Sequence, residues 1–123
     1  MNAVGRFFHS LKFAFRGLLR VARSEQNFRL ELLAATAVIA AMFLLELSWV
    51  ERAVLFLAIA LVLVLELMNS IFERMVDLLK PRIHHYVEEI KDVMAGSVLV
   101  AAIASVVIGV LIFWPHLGKF IGR

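Results

Sequence analysis

The sequence predicts an all-α membrane protein, and three observations carry that prediction. Of its 123 residues 63% are hydrophobic, only 19% are charged, and the apolar residues fall into runs of about 20, the length at which a helix crosses a ~30 Å hydrocarbon core. The mean hydropathy, +0.91, lies far from that of a soluble domain. Lipid offers no hydrogen-bond partner to exposed backbone, so each run has to be a helix. Three spans and one amphipathic helix use nearly the whole length, so 1–123 reads as a single membrane domain.

The first element is an amphipathic surface helix, 5–28. Arg6, His9, Lys12, Arg16, Arg20 and Arg23 recur at intervals of three or four and form one stripe, with Phe7, Phe8, Leu11, Phe15, Leu18 and Leu19 on the opposite side. Such a helix lies in the headgroup plane, where its cations attract anionic lipid. This amphipathic start, without a compact apolar core and a small-residue cleavage site, is not the pattern of a cleavable signal peptide. Three transmembrane spans follow at 32–50, 53–72 and 93–114. The charged, proline-containing stretch "LLKPRIHHYVEEIKD" between the second and third reads as a surface loop.

Basic residues set the orientation. Ten of the 13 lysines and arginines precede the first span or surround the second connection, which predicts that these segments, and the N-terminus with them, face the cytoplasm. Trp49 and Trp114 then both fall at the outer interface. In the third span Ser97, Ala101, Ser105 and Gly109 form a seam of small residues along which another helix can approach closely, and the expected partner is a second subunit.

The chemistry-bearing stretch is "ELMNSIFERMVD". Glu66, Asn69, Glu73 and Asp77 are spaced by three, four and four and share one helix face. Counted inward from Arg52, Glu66 lies roughly 21 Å deep, somewhat under 10 Å inside the far edge of the hydrocarbon. Glu73 and Asp77 reach water. An ionisable group at that depth is costly and is by default a functional hypothesis, although Glu66 and Asn69 can also be read as hydrogen-bonding groups between helices. Glu25, Arg29 and Glu31 in "SEQNFRLE", and Lys91 and Asp92 in "KD", stand at the same level. Carboxylates beside a phosphate suit Mg²⁺, and lysine and arginine offset phosphate charge. The gradient from lipid to water suits transfer from a soluble phosphate donor to a lipid alcohol, with Glu66 accepting the alcohol's proton.

Familiar signatures are missing. There is no G-x-x-x-x-G-K-[ST] loop, no G-x-G-x-x-G and no H-E-x-x-H, and adjacent His84 and His85 cannot share a helix face as a metal pair. Cysteine is absent, which removes disulfides and thiolate metal sites, and nothing in the net charge of +3 points to nucleic acid.

Four stretches, "RFFHSLKFAFRGLLRVARSEQNF", "FLLELSWVE", "ELMNSIFERMVDL" and "IKDVMAGSVLV", together resemble the small integral-membrane prokaryotic diacylglycerol kinases, including the undecaprenol kinases of Gram-positive bacteria. The resemblance covers nearly the entire chain. Its specific part is E-x-x-N-x-x-x-E-x-x-x-D followed by K-D. It implies a surface helix plus three transmembrane helices, a homotrimer in the bacterial cytoplasmic membrane with sites shared between subunits, and phosphorylation of a lipid hydroxyl by ATP with Mg²⁺. By position it implies Glu66 as catalytic base in contact with substrate, Glu25 and Glu73 as metal-binding and nucleotide-binding carboxylates, and Arg29 near the substrate headgroup. Arg6, Asn69, Asp77, His84, Lys91 and Asp92 are implied around the nucleotide. Departures from the Gram-negative type are Arg82, where that type has an acidic residue, and Phe13, where it has a tyrosine. The N-terminal helix, "LELSWVE" and the paired histidines lean toward the undecaprenol kinase branch.

Two other functions compete. A small oligomeric transporter or ion carrier would use Glu66 as its ion site and requires an ionisable path across the bilayer, but the second span outward of Glu66 is uninterruptedly apolar. A scaffold subunit without chemistry explains the small-residue seam and not the gathering of Glu25, Glu73, Lys91 and Asp92.

Overall fold

The computed structural model describes residues 2–79 and 84–122, except the side chain of His84. Four helices account for nearly all of them: α1 Ala3–Ser24, α2 Gln26–Leu44, α3 Trp49–Leu79 and α4 His84–Ile121. The last three are each long and apolar enough to cross a membrane. The protein is therefore an all-α integral-membrane protein.

α1 starts on an Asn2 cap, whose side-chain oxygen accepts the Gly5 amide at 2.8 Å. Almost every side chain along it is exposed, the buried exception being Val21. It ends one turn earlier than the 5–28 pattern predicts. Glu25 adopts an extended conformation (φ −114°, ψ 113°), and α2 begins on the next residue. Amphipathic periodicity locates the helix face well and the helix end poorly, because the break is made by one backbone conformation.

At the opposite end, α2 turns into α3 through a reciprocal cap. The Ser48 hydroxyl accepts the Glu51 amide at 3.1 Å, and the Glu51 carboxylate accepts the Ser48 amide at 3.0 Å, which is the S-x-x-E capping box. His116 Nε2 meets the other Glu51 oxygen at 3.0 Å and ties the end of α4 to this turn. Beneath it lies a small core of Met42, Leu47 and Leu55, packed by Ile108, Ile112 and Phe113 from α4.

α3 and α4 run beyond the spans the hydropathy predicts. α3 has 31 residues, about 46 Å at 1.5 Å per residue, so its final turns project past a ~30 Å core. Much of the stretch predicted as a surface loop is helix: α3 continues to Leu79 and α4 has begun by His84. Arg82, one of the two family departures, lies outside the described residues. Charge in that stretch marks exit from lipid, which a helix can do without ending.

The small-residue seam is met in part from within the chain, at Ala101 and Ser105. Its partner in this structure is α3 of the same chain, with which α4 packs more extensively than any other pair of helices does. Ala101 is 5% exposed and Ala58 7%, and the Ser105 hydroxyl donates to the Ala58 carbonyl at 3.4 Å. Small residues license close approach by any helix, and here α3 takes the middle of the seam while a Cβ at Gly109 would meet nothing within 4 Å. Leu99, Val100, Ile103, Val106, Val110 and Leu111 of α4 stay exposed, free for lipid or another chain. Ala101→Leu is therefore predicted to push α4 off α3 and cost about 1–3 kcal/mol as an overpacked contact. Chain stability measured by denaturant titration in mixed micelles should fall by that amount, and an unchanged midpoint would mean that α4 does not rest on α3 there.

Candidate active site

The polar residues of α3 share one face, as their spacing predicts, and that face passes from buried at Glu66 to exposed at Asp77. Glu66 is 3% exposed and Ser70, one turn on, 1%. Glu25 and Glu73 lie within electrostatic range of Glu66. Glu73 accepts the Asn69 amide at 3.3 Å, and Glu25, from the α1–α2 break, accepts the Ser70 hydroxyl at 3.1 Å. Glu25, Glu66, Asn69 and Glu73 are thus brought together by two elements only, one long helix and one junction. Further out, Lys91 Nζ meets Asp77 Oδ1 at 3.4 Å and Asp92 is exposed.

Two predicted residues stand elsewhere. Arg6 is 19 residues before Glu25, about 28 Å along α1, too far to join this cluster from its own chain. Arg29 points at the junction: its Nη1 donates to the carbonyls of Ala22 and Arg23, both at 2.9 Å. These belong to the last turn of α1, whose carbonyls have no intrahelical partner, and a cation there also complements the helix dipole. The His84 side chain lies outside the described residues. His85 sits on the exposed face of α4, 3.6 Å from Glu89.

Ser70 and Arg74 escape the motif, and Glu31, expected at this level, joins from α2. Ser70 lies four residues after Glu66, so the spacing that revealed the stripe already includes it, and only its chemical blandness hid it. Arg74 donates to the Ser24 hydroxyl at 3.0 Å and braces the residue before Glu25. Glu31 is half-buried with Oε2 unpaired among the described residues, within electrostatic range of Glu66. It borders a groove of about 490 Å³ between α2, α3 and α4, whose lining is otherwise uncharged and includes Ala35, Val38, Ser105 and Phe113.

Among the described residues no three acidic or histidine side chains converge in a ready-made metal cage. The donor set instead fits a Mg²⁺ ion that keeps waters and substrate phosphate oxygens and takes one or two carboxylates from protein. Ser70 and Asn69 each occupy a single oxygen of Glu25 and Glu73, which leaves each carboxylate a second oxygen to offer.

Fold and site define a class: a small helical membrane protein with carboxylates, carboxamide and hydroxyl gathered between the α1–α2 junction and α3. The family model described as prokaryotic diacylglycerol kinase matches residues 12–113. The undecaprenol kinase of Bacillus subtilis (strain 168) is 43% identical over 116 residues, covering 94% of each chain. A diacylglycerol kinase of Synechocystis is 39% identical over 109 residues, covering 88% of this chain and 62% of its own. That of Escherichia coli (strain K12) is 26% identical over 113 residues, covering 92% of this chain and 93% of its own. The chain belongs to the prokaryotic diacylglycerol kinase family, and it is a lipid kinase.

The Arg29 contacts make a prediction separate from any substrate role. Arg29→Leu leaves two α1 carbonyls without their donor, and amides of residues 22–29 are expected to exchange about tenfold faster, equivalent to roughly 1.4 kcal/mol of lost hydrogen bonding. Exchange at the wild-type rate with activity lost would assign Arg29 to substrate alone.

Proposed function

We propose that this lipid kinase transfers the γ-phosphoryl group of ATP to the hydroxyl of a membrane lipid alcohol, undecaprenol or diacylglycerol, at the cytoplasmic face of the bacterial inner membrane. The observation that carries the reading is Glu66: a carboxylate 3% exposed, with Glu25 and Glu73 in electrostatic range and an apolar groove beginning beside it at Glu31. The groove takes the hydrocarbon chain. Its carboxylate end takes the hydroxyl. The α1 end of the bundle faces the cytoplasm, as the excess of lysine and arginine there supports.

In this reading Glu66 accepts the hydroxyl proton as the alcohol oxygen bonds to the γ-phosphorus. The bond from that phosphorus to the β-phosphate bridging oxygen breaks, and ADP leaves. Glu25 and Glu73 hold Mg²⁺, which when bound supplies positive charge to the phosphate oxygens. Asn69 orients Glu73. Lys91, with Asp77 and Asp92, shapes the water-facing nucleotide site, joined by His84. Arg6 contributes from the α1 of a neighbouring copy, consistent with a homotrimer whose sites are shared. The carrier alternative lacks a continuing path, because Glu31 is the single ionisable residue lining the groove among the described residues.

The experiment is a transfer assay with labelled ATP and a panel of lipid alcohols in bilayers. Glu66→Gln keeps the side chain's shape and removes the proton acceptor, so turnover should fall about 10²–10⁴-fold with folding unchanged. Near-full turnover of that variant would exclude Glu66 as the base. Glu25→Ala and Glu73→Ala should each raise the Mg²⁺ concentration needed for half-maximal rate. Identical titration curves for both would remove them from the metal site.

A further inference from the structure

We infer that Ser70 is a positioning residue that aims the Glu25 carboxylate into the nucleotide site, an inference that rests on the assignment of Glu25 to the metal. Glu25 holds the N-cap position of α2, where the shorter Ser, Thr, Asp and Asn side chains bond the first amides of their own helix. Here it makes no such bond. Its Oε1 reaches across to α3 and accepts the Ser70 hydroxyl at 3.1 Å.

Ser70 is diverted from the usual behaviour of a helical serine. Serine and threonine inside a helix commonly donate to the carbonyl four residues back, as Thr36 does to Leu32 at 2.8 Å and Ser97 to Val93 at 3.0 Å. A hydroxyl has one proton, and Ser70 gives its own to Glu25. At 1% exposure no water competes for it, and a hydrogen bond to a charged acceptor is worth about twice a neutral one. One turn further along α3, Arg74 donates to Ser24 at 3.0 Å, so α3 grips two consecutive residues of the junction.

The consequence is geometric. Glu66 and Glu73 are carried by α3 itself, and their spacing is set by a rigid helix. Glu25 is the one proposed ligand that sits on a break between helices, with a long flexible side chain. Ser70 ties it to the same helix as the other two, so that base and carboxylates share one frame, while the second Glu25 oxygen stays available.

The test uses the full chain in bilayers and reads metal binding instead of turnover: Mn²⁺ titrated in the presence of ADP and followed by paramagnetic resonance. Ser70→Ala should weaken Mn²⁺ binding about tenfold or more, the usual consequence of removing a partner that orients a metal ligand. In a Glu25→Gln background it should add nothing further. His116→Ala, which removes an interhelical contact to Glu51 at the far end of the bundle, should leave Mn²⁺ binding unchanged, and melting curves for each variant separate a packing effect from a ligand effect. Weakened binding in Glu25→Gln with wild-type binding in Ser70→Ala overturns the inference and leaves the Glu25 assignment standing. Wild-type binding in Glu25→Gln overturns both. Equal, additive losses from Ser70→Ala with and without Glu25 also overturn the inference, because Ser70 would then act through something else.

Discussion

A helix proposed to lie along a membrane surface and a helix that enters the membrane cannot be one straight rod, and in this chain the two are divided by a single extended residue, Glu25. The rest of the polar end depends on how that break is held. Breaking a helix orphans the last carbonyls on one side and the first amides on the other, and near hydrocarbon an unsatisfied group is expensive. Arg29 returns from the first turn of α2 to the carbonyls of Ala22 and Arg23. Ser70 and Arg74 reach from α3 to Glu25 and Ser24. The residue that makes the break thereby becomes a held carboxylate near Glu66, and the junction of two helices supplies part of the proposed site.

The two ends of the bundle are held differently from its middle. At the far end the Ser48–Glu51 cap and His116 form a closed polar knot over the Met42, Leu47 and Leu55 core. Between the ends, α3 and α4 are kept together by small residues and one weak hydroxyl contact, Ser105 to Ala58. Association in lipid lacks a hydrophobic drive, so such close-packed seams and a few hydrogen bonds are what remains. The same thinness leaves the groove open beside Glu31, which suits the proposed lipid alcohol.

Much of this was legible from composition and spacing. Three spans, an amphipathic first helix and the shared face of Glu66, Asn69 and Glu73 follow from hydropathy and a 3.6-residue period; that this face turns inward at Glu66 is seen only in the structure. Other features were not. The seam of Ala101 and Ser105 reads the same whether it meets a second subunit or α3. The arginine at position 29 carries the same charge whether it serves a headgroup or caps α1. Periodicity says which side of a helix a residue occupies and says nothing about which neighbour lies opposite.

What the sequence determined by itself is therefore the solvent and the local chemistry. A chain this apolar must form helices in lipid, because no other backbone arrangement of separate segments satisfies itself there, and carboxylates at intervals of three and four must share a face. What only the tertiary structure decided is pairing: that Glu25 is aimed at Ser70 and not at its own helix, that Arg29 closes α1, and that Ser105 in the small-residue seam meets α3 of its own chain. These are contacts between residues as many as 47 positions apart, set by where the turns deliver each helix, and no period within one helix encodes them.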